Sequence, residues 1–320
     1  MPNLSSIATT AGSPPMSGGG RPRSRLWREV RERLVGTSLA GCGLFSLVVT
    51  LTIVVVLASE AIKFFQRPEV SASGFFFGTT WNPLLGSEKK FGVWPLVSGT
   101  FLISFIAACV AIPIGLLTAI YLSEYARPKV RAVLKPVLEL LAGVPTVVYG
   151  YFALVVITPT LQKLGSFDVY NAMSAGIAVG IMCLPLVCSL SEDALRAVPR
   201  SLREGAYAVG GTRLDVSVKV VVPAALSGIV AAFLLALARA VGETMIVALA
   251  AGSLPNLTAD PREQMQTMTG YMVQIFLGDA PAGGVEYESC YAVAALLFVF
   301  TFVLTASGHL IMKRYREAYE

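Results

Sequence analysis

The stretch FGVWPLVSGTFLISFIAACVAIPIGLLTAIYLS, residues 91–123, carries no Asp, Glu, Lys or Arg. A bilayer core needs about 17–25 apolar residues for a spanning helix, and this run exceeds that. Comparable charge-free runs cover 34–59, 140–162, 169–191, 220–238 and 289–312. The run at 220–238 is followed by Arg239 and Glu243 and then by a further charge-free run, 244–259. We read 223–252 as one helix with two intramembrane charges, which predicts six spanning helices in an all-α, polytopic membrane protein.

Composition agrees. Of 320 residues, 55 % are apolar and 14 % charged, against about 25 % charged in a soluble domain, and the mean hydropathy is +0.68. So few charges cannot cover a water-facing surface, which excludes a cytosolic enzyme, a disordered regulator and a DNA-binding domain. The net charge of +5 follows from topology. With both termini cytoplasmic, eighteen Lys and Arg fall on inside segments and six outside, the bias that sets orientation in membranes. No nucleic-acid partner is needed to explain the charge. Five Cys without a CxxC pair, and a single histidine, His309, give no disulfide framework and no metal centre. No P-loop, HExxH or GxSxG signature occurs, so the chain is not expected to be an enzyme and no cofactor is expected.

The chain divides into a disordered basic tail (1–33), a first anchor helix (34–65), an extracytoplasmic loop (66–90) and a core domain of five helices (91–320). The core contains a long inside loop (192–223) and an outer loop (253–288). In the inside loop, Pro199 suits a first helical position and Ser201 with Glu204 matches a capping box, so the helix start stays open by a couple of residues. Gly210-Gly211 predicts the helix end. Thr212 with Asp215 predicts a second capping box opening a short helix toward Pro223. Helix, glycine break and helix make a projecting knob. In the outer loop, Asp260-Pro261 predicts a helix start, with Met265, Met268, Met272, Ile275 and Phe276 on one face and Gly278 at its end. Phe75–Phe77, Trp81 and Trp94 read as interfacial aromatics. Gly176 and Gly180 form a GxxxG pair suited to close helix approach. Lys135 and Glu139, four apart, are expected to pair, and Ser104, Thr146, Tyr149, Tyr151 and Thr244 are candidate pathway residues.

Arg239 and Glu243 carry the sharpest question. A charge at the centre of a spanning helix costs roughly 2.5–3.5 kcal/mol on insertion scales. Four residues apart on one helix, the two share a face and can pair. One reading is a structural ion pair, although desolvation offsets most of its attraction. The other is a guanidinium facing a translocation pathway, its planar fork suited to a tetrahedral oxyanion and Glu243 limiting how tightly the anion is held.

The sequence Glu204-Gly205-Ala206, Gly210 and Val220-Val221-Val222-Pro223 resembles the EAA loop of ABC-importer permeases: E-A-A, three residues, G, nine residues, then I-x-L-P. Gly205 stands where that pattern has Ala. The run Arg239-Ala240-Val241-Gly242-Glu243-Thr244 resembles the span-five signature of the phosphate-specific branch. Met245-Ile246-Val247, and the segments 77–83 and 91–100, resemble its C-type (PstC-like) subunit. The likeness covers roughly residues 36–318. It implies a type I, MetI-like permease fold in a bacterial plasma membrane, surrounded by membrane lipid. It also implies four partners: a second homologous permease (PstA-like), a dimer of ATP-binding-cassette ATPase subunits (PstB-like), an extracytoplasmic phosphate-binding protein (PstS-like), and phosphate as substrate. Glu204, Gly205, Ala206, Gly210 and Pro223 would couple to the ATPase; Arg239, Glu243 and Thr244 would line the substrate pathway. A second hypothesis is a stand-alone channel or ion-coupled carrier that uses the Arg239–Glu243 pair and no ATPase.

Overall fold

A computed structural model of the chain describes residues 25–84, 89–281 and 283–315. Most of the expected N-terminal tail, residues 1–24, lies outside the described residues, and helix α1 (Arg25–Phe65) takes up the rest of it. The chain divides into two compact units at Val55/Val56. The first is the leading part of α1; all that follows concerns the second.

A short helix α2 (Ala72–Phe77) and a two-residue antiparallel pair, β1 (Trp81–Asn82) with β2 (Lys90–Phe91), follow α1. Then come α3 (Trp94–Ile120), α4 (Pro128–Ala142), α5 (Thr146–Phe152), α6 (Thr158–Leu164), α7 (Ala172–Ala197), α8 (Arg200–Ala208), α9 (Arg213–Val216), α10 (Val222–Ala224), α11 (Leu226–Val241), α12 (Met245–Ala250), α13 (Met268–Gln274) and α14 (Val285–Tyr315). Among the described residues, five helical stretches are long and apolar enough to cross a membrane: Val30–Phe65, Trp94–Tyr125, Thr146–Leu164, Ala172–Ala197 and Val285–Gly308. A sixth appears when Arg213–Ala224 and Leu226–Val241, bent by 70°, count as one span.

The expected single helix over 223–252 is therefore corrected. It is interrupted at Ala225, and again at Gly242–Thr244, between α11 and α12. Four turns among the described residues are wound as π-helix, at Tyr121–Tyr125, Ala153–Ile157, Ser217–Val221 and Ile275–Asp279. Such turns occur mostly as single-turn bulges, frequently near functional sites.

The core is built on small residues. Ala107 and Ala111 of α3, Ala175, Ala178 and Val179 of α7 and Ala236 and Ala240 of α11 are buried together. In lipid, helices associate by close packing rather than by escaping water, so small side chains at the contact let backbones approach. The GxxxG pair does this: a Cβ on Gly180 would lie 2.7 Å from Val110 Cβ and 3.0 Å from the Ala107 carbonyl, and one on Gly176 would lie 2.6 Å from Ile106 Cβ.

Breaks in the helices release backbone groups that lipid cannot satisfy, and polar side chains take them up. Between α4 and α5, at Gly143–Pro145, the Tyr149 hydroxyl donates to the Leu141 carbonyl at 2.8 Å. At the start of α7, the Asn171 side chain accepts from Ser174 N at 2.7 Å, while Ala172 N and Met173 N donate to the carbonyls of Glu263 and Pro261.

That last contact explains a second correction. The outer helix does not start at Asp260-Pro261; it starts at Met268, capped by the Thr267 side chain. Residues 260–267 stay non-helical because their backbone serves other elements. Met265 N donates to Ala251 O, Gln264 N donates to the Asp168 carboxylate, and Asp260 makes a local turn to Arg262 N. Met265, Met268 and Ile275 are buried as expected, but Phe276 is exposed, and Gly278 ends the turn at φ 106°.

A cap of aromatics closes the end of the bundle opposite the knob at 192–223. Phe64, Phe75, Trp81, Phe91 and Tyr271 are buried in one cluster, with Trp81 edge-on to Tyr271 at 4.9 Å between centroids. Of the aromatics read as interfacial, Phe76, Phe77 and Trp94 are exposed, whereas Phe75 and Trp81 are core. Gly78 and Gly92 let two backbones touch beneath this cap: a Cβ on Gly78 would lie 2.8 Å from Gly92 Cα, and one on Gly92 2.7 Å from Gly78 Cα. Two acids of the 253–288 loop are ion-paired, Glu288 with Arg67 at 2.5 Å and Glu286 with Lys89 at 2.5 Å.

Gly180→Leu should overpack the α3–α7 contact and cost about 1–3 kcal/mol, read as a lower melting temperature of the detergent-purified chain. An unchanged melt would contradict the close approach.

Candidate functional site

Thirteen residues separate Leu226 from Arg239, about 20 Å of helix. Arg239 stands in the last turn of α11, where a cation complements the helix dipole. Two residues past the helix end, Glu243 turns back: its Oε1 accepts from Met245 N at 3.1 Å and from Ile246 N at 3.2 Å. The carboxylate thus caps α12, whose Thr244 N-cap position makes no side-chain cap of its own. Thr269 of α13 donates to the Glu243 carbonyl at 2.7 Å. Glu243 is 8 % exposed.

The expected i,i+4 pair does not form; no ion pair joins Arg239 and Glu243 among the described residues. The helix that would have set their spacing ends at Val241, and first-turn amides in an apolar setting claim the carboxylate instead. The carrier hypothesis loses the ion pair it was built on. Thr244 is half-buried, and its hydroxyl donates to Gly242 O at 3.2 Å. Ser104 and Tyr149 are spent on backbone carbonyls, those of Thr100 and Leu141.

Arg239 is left without a carboxylate partner among the described residues. Its guanidinium makes one long contact, 3.7 Å to the Met182 sulfur of α7, and forms part of the wall of a cavity of about 270 Å³. Met182, Pro185, Leu186 and Ser189 of α7 form one side of it, and Lys135 and Glu139 of α4 another. The rest of the wall is mostly apolar but also carries Glu139 and Glu192; Glu192 is taken up by Arg131 and Lys135, so Arg239, in contact only with a thioether, keeps its charge available to an anion.

The knob forms as expected. α8 runs to Ala208, and Gly210 takes φ 86°, a left-handed conformation that favours glycine. Gly211 N closes the end on Ala206 O. The second capping box is present, with Asp215 N donating to the Thr212 hydroxyl and Thr212 N to the Asp215 carboxylate. The first does not form: α8 starts at Arg200 behind Pro199, with no side-chain cap. Glu204, Gly205, Gly210 and Pro223 are exposed and Ala206 is half-buried. Tyr207, Val209, Leu214 and Val218 are exposed on the same knob, an apolar surface suited to a protein partner.

Two features escaped the sequence reading. Arg203 ties the knob to the bundle: it donates to Val198 O at 2.5 Å and Leu195 O at 2.7 Å, and to Glu124 at 3.2 Å. It therefore grips the C-terminal carbonyls of α7 and the π turn that ends α3. Nearby, Glu192 of α7, 1 % exposed, meets Arg131 at 2.6 Å and Lys135 at 3.4 Å, both from α4. Lys135 also meets Asp193 at 3.2 Å, so the expected Lys135–Glu139 pair is replaced by longer-range ones. Burial acts to lower the Lys135 pKa, but hydrogen bonding to Asp193 and the charge of Glu192 outweigh it and raise it. In sequence Arg131 and Arg203 enter only a charge count and Lys135 is given a local partner, because nothing local marks which distant carboxylate each one meets.

The fold places the chain in the class of polytopic membrane transport subunits. Residues 111–317 match the family described as binding-protein-dependent transport system inner membrane component, and the chain belongs to it. Among curated relatives, a probable ABC transporter permease protein, YqgH, of Bacillus subtilis is 34 % identical over 88 % of this chain and 90 % of its own length. The phosphate transport system permease protein PstC of Mesorhizobium japonicum is 31 % identical, over 82 % and 86 %. Among solved structures, a chain of a bacterial ABC transporter involved in alginate import aligns with a TM-score of 0.63 at 14 % identity, covering 92 % of this chain and 100 % of that one. A chain of the inward-facing MetNI methionine ABC transporter aligns with a TM-score of 0.55 at 19 % identity, over 71 % and 95 %. These two likenesses establish the MetI-type permease fold.

Two glycines on the knob should respond in opposite directions. Gly210→Val forces a β-branched residue into a left-handed conformation and should cost about 1–2 kcal/mol. A Cβ on Gly205 meets nothing within 4 Å, so Gly205→Ala should stabilise α8 by up to about 1 kcal/mol. Hydrogen exchange of the 200–211 amides should speed up in the first variant and slow in the second.

Proposed function

We propose that the chain is the C-type transmembrane subunit of an ATP-driven importer of inorganic phosphate, forming half of the translocation pathway in a bacterial plasma membrane with both termini cytoplasmic. The carrying observation is Arg239: a guanidinium without a carboxylate partner, on the wall of a cavity, in a chain with relatives named as phosphate transport permeases. A tetrahedral oxyanion can take two of its N–H donors at once. Glu243 does not neutralise it, because its carboxylate is committed to the first amides of α12. A phosphate in transit would thus meet a positive charge on a mostly apolar wall whose carboxylates, Glu139 and Glu192, keep it from being held too tightly to leave. Thr244, next to that cap, is the third residue of the proposed pathway.

Motion comes from below. Glu204, Gly205, Ala206 and Gly210 lie on a knob whose exposed apolar side chains would seat in a cytoplasmic ATP-binding-cassette subunit, with Pro223 where the chain turns back toward the bundle. The dimeric ATPase hydrolyses ATP; this chain performs no chemistry. Arg203 would pass displacement of the knob to α7, which also carries Met182 against Arg239. A second, homologous permease completes the pathway, a phosphate-binding protein delivers substrate from outside, and lipid covers the remaining apolar surface.

Arg239→Gln removes the charge and the guanidinium fork while keeping a polar N–H donor on a shorter side chain. Phosphate uptake in cells expressing the variant as the sole such permease should fall at least tenfold, about 1.4 kcal/mol, while the complex still assembles and hydrolyses ATP. Wild-type uptake at limiting phosphate would refute the assignment.

A further inference from the structure

Beside the knob lies a second cavity, about 780 Å³, lined by five cations: Arg131 and Lys135 of α4, Arg196 of α7, and Arg200 and Arg203 of α8. Two carboxylates, Glu124 and Glu139, also line it. Glu124 is committed to Arg203 at 3.2 Å and accepts from Ser123 at 2.8 Å. The cations are not equally spent. Arg131 and Lys135 are held by Glu192, and Lys135 also by Asp193. Arg196 reaches Glu192 only at 3.7 Å, an oxygen that already accepts from Arg131 at 2.6 Å. Arg200 has no carboxylate or hydrogen-bond partner among the described residues. One buried carboxylate thus serves three cations, and two guanidiniums from successive helices border the basin with donors to spare.

This cavity shares Leu122, Lys135 and Glu139 with the one walled by Arg239, so the two adjoin at α4. Arg196 and Arg200 stand exposed at the rim, with Arg131 and Lys135 half-buried behind them; a small, multiply charged oxyanion can take guanidinium forks from both rim residues at once.

We propose that the basin is a binding site for a phosphate group, held chiefly by Arg196 and Arg200 with Arg131 behind them. Occupancy ties the first turn of α8 to α7 and α4 and so restrains the knob. The site stands on its own charges and not on the transported substrate; only its assignment to the cytoplasmic side rests on the function proposed above. The group can come from free inorganic phosphate or from an anionic lipid headgroup.

The full-length chain in phosphatidylcholine nanodiscs, followed by hydrogen exchange of the 200–208 amides, separates these sources. Millimolar inorganic phosphate, against chloride at matched ionic strength, should slow exchange there if the free anion binds. Protection that instead appears on adding phosphatidylglycerol, without phosphate, identifies a lipid headgroup. In either case the double variant Arg196→Gln, Arg200→Gln should weaken the effect by about tenfold or more, as loss of charge-assisted bonds predicts. Arg196→Lys, Arg200→Lys, which keeps the charges and loses the forks, should retain only part of it, and Arg239→Gln should leave it intact. Equal protection by chloride, no protection in either nanodisc, or full protection in the double Gln variant would overturn the site. Arg239→Gln uptake tests transport separately, so the two readings can fail independently.

Discussion

A helix that breaks where no water is at hand must find partners for the amides and carbonyls it frees, and the second half of this chain is organised by that demand. α11 and α12 are parted at Gly242–Thr244, and the Glu243 carboxylate fills the gap by capping the lower-numbered amides of α12. Thr269 holds the carbonyl of the same residue from α13. Tyr149 bridges the break between α4 and α5, and the 251–267 segment lends carbonyls to the start of α7. Each of these polar groups is consumed by backbone. Arg239, next to the break, is not. Its freedom from a carboxylate partner is a by-product of where the acid beside it had to go.

At the knob end of the bundle, charged side chains join the helices directly. Arg203 reaches from α8 to the last carbonyls of α7 and to Glu124 beyond α3. Glu192 collects cations from α4 and α7 at almost no exposure. A buried carboxylate of this kind gains little net stability from its partners but is costly to leave without them. It therefore fixes which helices must stay together when the knob is displaced.

Much of this was legible beforehand. Span count, small-residue packing at Gly176 and Gly180, the Gly210 turn and the Thr212–Asp215 cap are local or periodic, and composition and spacing encode them. The misses share a cause. Asp260-Pro261 is a sound helix start by local chemistry, yet the backbone after it is claimed by Asp168, Ala251 and the start of α7, partners up to 96 residues away. Arg239 and Glu243 pair by spacing only if the helix continues, and the carboxylate's better use lay three residues ahead. Phe75 and Trp81 sit near the membrane boundary in sequence, but burial there depends on Phe64 and Tyr271 closing over them. Salt bridges such as Lys135–Glu192 join elements whose adjacency no pattern announces.

Gly78 and Gly92 bear on how such a chain can vary over time. Each leaves room for the other's main chain and not for a side chain. Shrinking one position therefore cannot rescue growth at the other, since both are already as small as a residue can be. Compensating exchange, the usual route by which touching positions drift, is closed to this pair, and a lineage that keeps the aromatic lid above it has to inherit both unchanged.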